Sequence, residues 1–491
     1  MPTLHKLEEL PLDNTYARLP EAFYARVEPT PLPNPHLVSF NPDAAALLDL
    51  DPDEAKRPEF AGVFGGQLLI PGSEPIAMLY SGHQFGIYAG QLGDGRAILL
   101  GEVRNSRGEQ WDLHLKGAGQ TPFSRDGDGR AVLRSAIREY LCGEAMHGLG
   151  IPTTRSLCIV AGDEAVLRER PEVGAMLLRM APTHVRFGSF QAFFARRQPE
   201  YVTQLADYVI ARFYPHLAAA GDRYPRFFQE VAVRTAQLIA KWQAVGWAHG
   251  VMNSDNMSIV GLTLDYGPYG FLDAYDPSFI CNHSDHHGRY SFRNQPDIGY
   301  FNLRCLGQAL SSLVTPQQEQ EALAAYEAVF ASHYQELMRG KLGLQKSTSE
   351  DGALIRDLLA LMAMNQVDYT NCFRALGKFT SGETDRNEAL RDFFVDRDGF
   401  DRWAARYRER LRAETGRDED RRLRMNRVNP KYILRNYLAQ TAIERAQQKD
   451  YSEIDRLRRL LTDPFAEQAD MDAYAAPPPD WGRQILVSCS S

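Results

Sequence analysis

Residues 249–267 constrain the fold and chemistry of this chain more than any other stretch. They begin within a helix end predicted at 247–250 and continue as a polar loop, an apolar strand and a second polar loop that begins at Asp265. Asp255, Asn256 and Asp265 place carboxylate or amide oxygens at the two loops. A few hard oxygen ligands at neighbouring turns are typical of sites that hold a divalent metal ion against nucleotide phosphates. The pattern therefore predicts a metal-binding and phosphate-binding hairpin.

The length and charge of the chain limit what can surround this hairpin. At 491 residues the chain is too long to form one small core, so we expect two lobes or more. The 55 basic and 63 acidic side chains give a net charge of −8, which argues against a broadly basic face for nucleic acid. The sequence has no run of about 18 apolar residues and no secretory pattern, and its six scattered cysteines indicate a reducing compartment. We expect a cytoplasmic monomer without nucleic-acid or membrane partners.

The first half of the chain predicts a small antiparallel sheet with one main helix. Residues 97–103 and 111–116 have the composition of two strands joined by a polar turn. The glycine-rich turn before them ends at Arg96; small residues let backbone amides approach phosphates, although a plain hairpin turn is the alternative. Residues 131–149 have apolar side chains at helical spacing.

Four charged side chains of this half are candidates for a phosphate site. Lys116 lies on the polar face of its strand, and Glu139 points away from the apolar stripe of the next helix. A strand lysine paired with a helix glutamate positions nucleotide phosphates in the protein-kinase fold. Arg179 ends the last predicted strand and Arg186 follows it, and both could neutralise a triphosphate. Unrelated surface charges and structural salt bridges are the alternatives.

The remaining segments are assigned by composition and periodicity. Two further strands are predicted at 156–160 and 174–179. Helices are expected over residues 227–245, 316–340, 353–375, 386–413 and 431–462. The division we expect is a proline-rich extended arm (1–60), a sheet-containing N-lobe (61–185), a helical C-lobe (186–475) and a C-terminal tail (476–491).

The order of these features is that of a protein kinase. Kinases have an asparagine seven residues after the histidine of the catalytic loop, and Asn256 lies seven residues after His249. Asp265 fits the metal-binding aspartate, with Tyr266 in place of the usual phenylalanine. A bilobal, protein-kinase-like α+β fold is therefore expected, with a small antiparallel-sheet N-lobe containing one main helix and a large helical C-lobe.

One position departs from the kinase pattern. The catalytic aspartate of kinases lies two residues after the histidine, where this chain has Val251. Valine cannot accept a proton or orient a hydroxyl, so ordinary phosphorylation is disfavoured. Two hypotheses remain open: a nucleotide-binding pseudokinase that acts as a regulatory scaffold, or an enzyme that attacks a different phosphate with a different base. Asp255 is the candidate base, and a structural cap of the loop is the alternative for it.

Five long motifs resemble the selenoprotein O (SelO) family. They are YSGHQFG (80–86), GQLGDGR (90–96), LHLKGAG (113–119), GDGRAVLR (127–134) and HGVMNSDNM (249–257). The likeness extends from the N-terminal arm to the last residues. It implies a protein adenylyltransferase on a kinase-like fold, which binds ATP flipped relative to kinases, transfers AMP to Ser, Thr or Tyr hydroxyls of proteins and releases pyrophosphate. Bacterial members also use UTP with Mn²⁺, which implies UMP transfer as a second activity.

The resemblance also implies roles for individual residues. Lys116 and Glu139 would form the catalytic ion pair, Asn256 and Asp265 would hold Mg²⁺ or Mn²⁺, and Asp255 would accept the proton. The residues implied to contact the nucleotide are Gly93, Gly95, Arg96, Lys116, Asp128, Gly129, Arg179, Arg186 and Asp265.

A redox role is implied for two cysteines. Cys489 occupies the position at which animal members have selenocysteine. In bacterial relatives the C-terminal cysteine can pair with one in the segment after the metal site, which matches Cys281. Such a disulfide would tie the tail to the loop after Asp265 and restrict its motion. Two unlinked thiols are the alternative in a reducing cytosol.

Overall fold

An antiparallel sheet with edge strands from the N-terminal segment forms the first part of the fold. A computed structural model describes residues 4–382, 386–414 and 416–488. Its strands are β1 (Tyr24–Arg26), β2 (His36–Phe40), β3 (Ile76–Met78), β4 (Gly82–Gln84), β5 (Ile87–Ala89), β6 (Ala97–Arg104), β7 (Gln110–Lys116), β8 (Ala131–Val132), β9 (Arg155–Leu167), β10 (Pro171–Ala181), β11 (Trp247–Ala248) and β12 (Gly270–Phe271). The order across the main sheet is β1-β3-β6-β7-β10-β9-β2, and β8 pairs with β10. β4 and β5 form a separate hairpin, and β11 pairs with β12.

Helices make up most of the described chain after residue 186. The helices are α1 (Pro42–Ala46), α2 (Pro58–Phe64), α3 (Leu133–Gly148), α4 (Phe187–Ala195), α5 (Pro199–Phe213), α6 (Arg223–Val245), α7 (Gln295–Ala309), α8 (Pro316–Lys341), α9 (Asp351–Asn365), α10 (Tyr369–Leu376), α11 (Glu388–Arg391), α12 (Arg397–Arg412), α13 (Asp418–Asn426), α14 (Asn436–Gln447) and α15 (Ser452–Thr462). In the part of the chain that the structure describes, none of them is both long and apolar enough to span a bilayer. The fold is thus a mixed α+β arrangement, with the sheet early in the chain and the helices mostly late.

Side chains alternate between the two faces of the sheet along each strand, and each face packs into an apolar cluster. Leu177 of β10 packs into one apolar cluster with Ile137 of α3. Its neighbours Met176 and Leu178 pack into another cluster with Phe60 from α2. Burying one such side chain fully stabilises the fold by roughly 1.5–3 kcal/mol. The proline-rich segment is therefore part of the core, and through β1 and β2 it supplies both edges of the sheet, which its composition did not predict.

The predicted hairpin and helix of the first half are confirmed. β6 and β7 pair antiparallel, with Ala97 opposite Lys116 and Val103 opposite Trp111. The helix predicted over 131–149 is α3. The two strands predicted after it are present but longer, as β9 and β10.

Several predicted helices are interrupted by turns. The span 353–375 divides into α9 and α10 because Gln366 adopts a left-handed conformation (φ 49°), which ends a helix. The span 431–462 divides similarly near Lys449 (φ 64°), and α11 and α12 replace the span 386–413. By contrast, α8 begins as predicted, with Thr315 as its N-cap.

The stretch that opened the sequence analysis has a different backbone from the one predicted. Gly246 ends α6 in a left-handed conformation (φ 75°), so residues 247–248 form strand β11 instead of a helix end. The strand predicted between the two polar loops is also wrong. Single bridges at Ser258 (to Arg186) and Thr263 (to Thr153) replace it. These bridges fix both loops against the segments that follow β10 and α3.

Candidate nucleotide-binding site

A cleft of 640 Å³ separates the sheet from the two polar loops. Most of the residues predicted to form a site line this cleft: Gly93, Gly95, Arg96, Lys116, Asp128, Gly129, Arg179, Asp255, Asn256 and Asp265. Glu139 and Arg186 lie directly behind the cleft wall, where both are buried. The structure therefore brings together residues that are up to 172 positions apart in the chain.

Lys116 and Glu139 form the predicted ion pair across the sheet–helix boundary. The Lys116 Nζ donates to Glu139 Oε2, and both side chains are buried. The guanidinium of Arg179 lies 3.3 Å from the other carboxylate oxygen, Oε1. One glutamate of α3 thus holds a strand lysine and a strand arginine at the cleft wall. Removing one partner of such a buried pair typically costs about 3–5 kcal/mol, because a charge is left uncompensated.

Asp265 is held by two arginines in an unusual backbone conformation. Arg179 and Arg186 each donate to one of its carboxylate oxygens. Its φ of 58° lies in the left-handed region, which is uncommon for residues other than glycine. Burial alone would raise the pKa of Asp265, but Arg186, Arg179 and Lys116 outweigh burial and hold it well below its usual range. This carboxylate is therefore ionised at any physiological pH.

The oxygens of Asn256 and Asp265 suit a divalent cation. The Asn256 amide nitrogen donates to the Val251 carbonyl at 2.9 Å, which leaves its side-chain oxygen as an acceptor in the cleft lining. Asp265 keeps further lone pairs beside its arginine bonds. No group of three or more acidic, His or Cys side chains that could hold a metal occurs among residues the structure describes. Two oxygen ligands nevertheless fit Mg²⁺, which keeps several waters and takes its other ligands from phosphates.

Asp255 has the environment of a base. Its Oδ2 accepts a 3.3 Å hydrogen bond from Gln84, whereas its buried Oδ1 has no hydrogen-bond partner in the described part of the chain. Burial raises its pKa to about 6, and Arg186 partly opposes that shift. Arg186 also donates to the Asp255 main-chain oxygen at 2.9 Å. A carboxylate with a pKa near the working pH and an unoccupied oxygen suits proton abstraction.

His249 anchors the first polar loop through both of its ring nitrogens. Its Nε2 lies 3.1 Å from the Leu264 carbonyl, and its Nδ1 is 3.4 Å from the backbone nitrogen of Val251. Burial lowers its pKa, so the neutral ring donates at Nε2 and accepts at Nδ1. Val251 itself lines the cleft, so the kinase base position is apolar here.

The glycine-rich turn packs closely against the loop that contains Phe123. A Cβ on Gly93 (φ 117°) would lie 2.6 Å from the Phe123 ring, and one on Gly95 would lie 2.8 Å from the Phe123 carbonyl oxygen. Arg96 is exposed at the cleft rim. The residues that follow Phe123 pack against this turn. Because Gly93 and Gly95 have no side chain, the loop that contains Phe123 can pack against this turn at the edge of the cleft.

The glycine motif at 127–134 lies at the end of the same loop. Asp128 accepts from Arg168 at 2.6 Å and from the Arg130 backbone nitrogen at 2.8 Å. The hydrogen bond from Arg168 lowers the pKa of Asp128. Gly129 has a φ of 72°, and a Cβ there would overlap the Gly119 backbone at 2.1 Å. Arg168 was not predicted, because nothing in its sequence context separates it from an ordinary surface arginine.

Sequence reasoning also missed a buried polar chain behind the cleft. The Arg179 guanidinium donates to His114 Nδ1 at 2.7 Å, and His114 Nε2 lies 2.9 Å from Asp94 of the glycine-rich turn. His114 also stacks on His184 at 4.2 Å. Burial lowers the pKa of His114. The alternation of β7 placed His114 on the same face as Lys116, and that signal could have identified it.

Of the two cysteines predicted to form a disulfide, Cys281 is among the residues that the structure describes. Cys281 is buried, and its Sγ lies 3.6 Å from the Ala248 carbonyl oxygen. The C-terminal tail reaches this region, because the backbone nitrogen of His283 donates to the Val487 carbonyl at 2.8 Å. Cys489 lies outside the described residues. A bond between the two cysteines therefore stays a prediction.

Comparisons with known proteins agree on one family. The sequence model described as protein adenylyltransferase SelO matches residues 6–462. A protein nucleotidyltransferase YdiU of Myxococcus xanthus (strain DK1622) is 60% identical over 485 residues, 99% of each chain. Similar proteins of the same name occur in Thiobacillus denitrificans (56% over 486 residues, 99% of each chain). Another, in Pectobacterium atrosepticum, is 54% identical over 486 residues, 99% of this chain and 100% of the relative.

Proposed function

The chain belongs to the family of protein adenylyltransferase SelO and is a nucleotidyltransferase, and on that premise we propose that it transfers AMP from ATP to Ser, Thr or Tyr hydroxyls of proteins. One observation supports this proposal above all others. Asp255 is a buried carboxylate of the cleft with a raised pKa, beside the metal-ligand candidates, whereas the kinase base position is Val251. UTP with Mn²⁺ is proposed as a second donor, from which UMP would be transferred.

We propose that the fold is a kinase-like arrangement of two lobes, with the sheet part at 61–185 and the helical part at 186–475. Two features support this reading. The strand lysine and helix glutamate pair as they do in kinases. The two polar loops face that pair across the cleft.

The cationic side chains would bind and orient the triphosphate. Lys116, Arg179 and Arg186 lie within one hydrogen-bonded group around Glu139 and Asp265, so they can share their donors with phosphate oxygens. Arg96 at the rim would reach the outer end of the triphosphate. Asn256 and Asp265 would hold Mg²⁺ or Mn²⁺, which supplies charge neutralisation on the phosphates.

Asp255 would then determine which phosphate is attacked. We propose that ATP lies with its α-phosphate toward Asp255. The acceptor oxygen forms a bond to the α-phosphorus, its proton passes to the carboxylate, and the bond from the α-phosphorus to the bridging oxygen breaks as pyrophosphate leaves. The Asp255 carboxylate is the acceptor group, since it lines the cleft and burial raises its pKa to about 6.

We also propose that Cys281 and Cys489 form a redox-sensitive clip between the tail and the loop after Asp265. Support comes from the hydrogen bond between His283 and Val487, which brings the tail beside Cys281. A Cys489→Ser variant should respond differently to oxidant in its activity or in the thiol accessibility of Cys281. Identical responses would contradict the clip.

Labelled ATP distinguishes the proposed reaction from the alternatives. With label on the α-phosphate, protein should become labelled and carry an AMP adduct by mass spectrometry. Label that is transferred from the γ-phosphate alone would indicate a kinase and overturn the proposal. Thermal stabilisation by ATP with no covalent product from either phosphate would favour a nucleotide-binding scaffold instead.

A further inference from the structure

The hairpin β4–β5 forms the wall of the cleft at Asp255. Gln84 of β4 lines the cleft and donates to the Asp255 carboxylate at 3.3 Å. The backbone nitrogen of His83 donates to Ser254 Oγ at 2.7 Å, one residue before Asp255. The inner edge of this hairpin is therefore bonded directly to the loop that contains the proposed base.

The tip of the hairpin has a fixed conformation. Phe85 and Gly86 both adopt left-handed backbone angles, φ 50° and 84°, as in a two-residue hairpin turn of type I′. This conformation is strained for phenylalanine. The backbone nitrogen of Phe85 donates to the Tyr290 hydroxyl at 2.8 Å, and that bond holds the turn in place.

The hairpin presents apolar side chains to solvent. Ile87 is 76% exposed, Phe85 is 39% exposed and Tyr88 is 37% exposed. Elsewhere in the described ranges no stretch of four residues contains three large hydrophobic side chains that are so exposed. Exposed apolar groups gathered in one place mark an interaction surface.

The outer edge of β5 has unused backbone groups. Gln84 pairs with Ile87 next to the turn, so the following pair, His83 with Tyr88, directs its backbone groups away from the hairpin. On the β4 side such a group bonds Ser254. On the β5 side, no described residue bonds the backbone nitrogen or oxygen of Tyr88. This edge can accept an additional strand.

We infer that the outer edge of β5 docks an extended segment of the acceptor protein as a third strand, with an apolar side chain of that segment against Ile87. The inference rests on the proposed transfer to protein hydroxyls. Extended segments bind sheet edges through backbone hydrogen bonds and gain specificity from alternate side chains.

Neighbouring strands are about 4.8 Å apart, so the docked strand lies roughly 10 Å from β4 and from the Gln84 contact with Asp255. If the segment leaves the docked strand and turns toward the cleft, at about 3.3 Å per residue it covers that distance in about three residues. The preferred acceptor hydroxyl is therefore about three residues from the docked apolar side chain.

The test uses Ile87→Asp with Val395→Asp as the matched control, because Val395 is also apolar and 89% exposed but lies before α12, outside the cleft. The substrate is a mixture of nine-residue peptides with one central Ser, Thr or Tyr and random flanks, incubated with Mg²⁺ and α-labelled ATP. We expect wild-type enzyme and Val395→Asp to favour peptides with an apolar residue near three positions from the hydroxyl. Ile87→Asp should lose that preference, shift toward basic residues there and label the preferred peptides about tenfold more slowly.

The outcomes separate this inference from the proposed function. Equal rates and preferences in Ile87→Asp and wild type would overturn the docking site while α-label transfer stands. Transfer to intact proteins but to no peptide would also overturn it, because an extended segment would then not be what is recognised. If wild-type enzyme transfers no α-label to any acceptor, the proposed function fails and the inference fails with it. ATP-induced thermal stabilisation should be the same in all three proteins, since Ile87 does not line the nucleotide cleft.

Discussion

Replacing Asp255 by Asn should remove activity and stabilise the protein at the same time. The carboxylate is buried, and its pKa is raised from 3.8 to about 6. In the unfolded chain it ionises at its ordinary pKa, so keeping it ionised in the folded protein costs about 3 kcal/mol above pH 6. Asparagine has nearly the same shape and can still accept the Gln84 hydrogen bond. It removes the cost of burying a charge.

The sign of this effect depends on pH. Below pH 3.8 the carboxyl group is protonated in both states, and the substitution should change nothing. As pH rises from 3.8 to about 6 the wild-type protein loses stability relative to Asp255→Asn, and the difference is then constant. At pH 5 about half of the full difference should be present.

Two measurements on the same variant test this reasoning. Urea unfolding at pH 5 and pH 8 gives the free energy of unfolding, and initial rates with α-labelled ATP give the transfer activity. We expect activity to fall roughly 10²–10⁴-fold, the usual contribution of a general base. The exposed Asp398→Asn serves as control and should change neither quantity appreciably. A variant that transfers AMP within fivefold of wild type, or that is less stable at pH 8, would refute the role given to Asp255.

Three further substitutions test other parts of the site. Asp265→Asn should abolish transfer and reduce the thermal stabilisation by Mg²⁺ and ATP; an unchanged shift with ATP would remove the metal assignment. Gly82→Ala should slow transfer about tenfold while ATP still binds, because its Cβ would lie 2.5 Å from Asp255 Oδ1; a normal rate would show that Asp255 can move without consequence. Arg186→Met should shift the acidic limb of the rate–pH profile above pH 6, since Arg186 lowers the pKa of Asp255. The profile of Arg186→Lys should move less, and a profile at lower pH in the Met variant would contradict the electrostatic account.

The parts of the site that sequence predicted are those fixed by short-range patterns. The alternation in β7 identified the face that bears Lys116, and helical periodicity placed Glu139 off the apolar stripe of α3. Counting from His249 identified Asn256. Each of these depends on a regular backbone period or a fixed loop length, which a sequence displays directly.

The missed parts depend on contacts between distant segments. His114 and Asp94 are 20 positions apart, and their bond exists only because the glycine-rich turn folds under β7. The strand predicted between the two polar loops is absent because isolated bridges at Ser258 and Thr263 take the backbone bonds that a ladder would need. Local composition gives no information on such partners.

The pKa values of two aspartates ten residues apart are shifted in opposite directions, which suits the different roles proposed for them. Asp265 faces Arg179 and Arg186, which donate to both of its oxygens and keep it ionised, so it is too weak a base to take a proton at neutral pH. Asp255 is more deeply buried than Asp265, Arg186 reaches its main-chain oxygen instead of its carboxylate, and its pKa is raised to about 6. Environments that push two carboxylates apart in pKa define their roles in many enzymes. The position of Arg186 between the two carboxylates is thus consistent with the roles proposed for them, charge stabilisation for Asp265 and proton transfer for Asp255, with Val251 at the kinase base position.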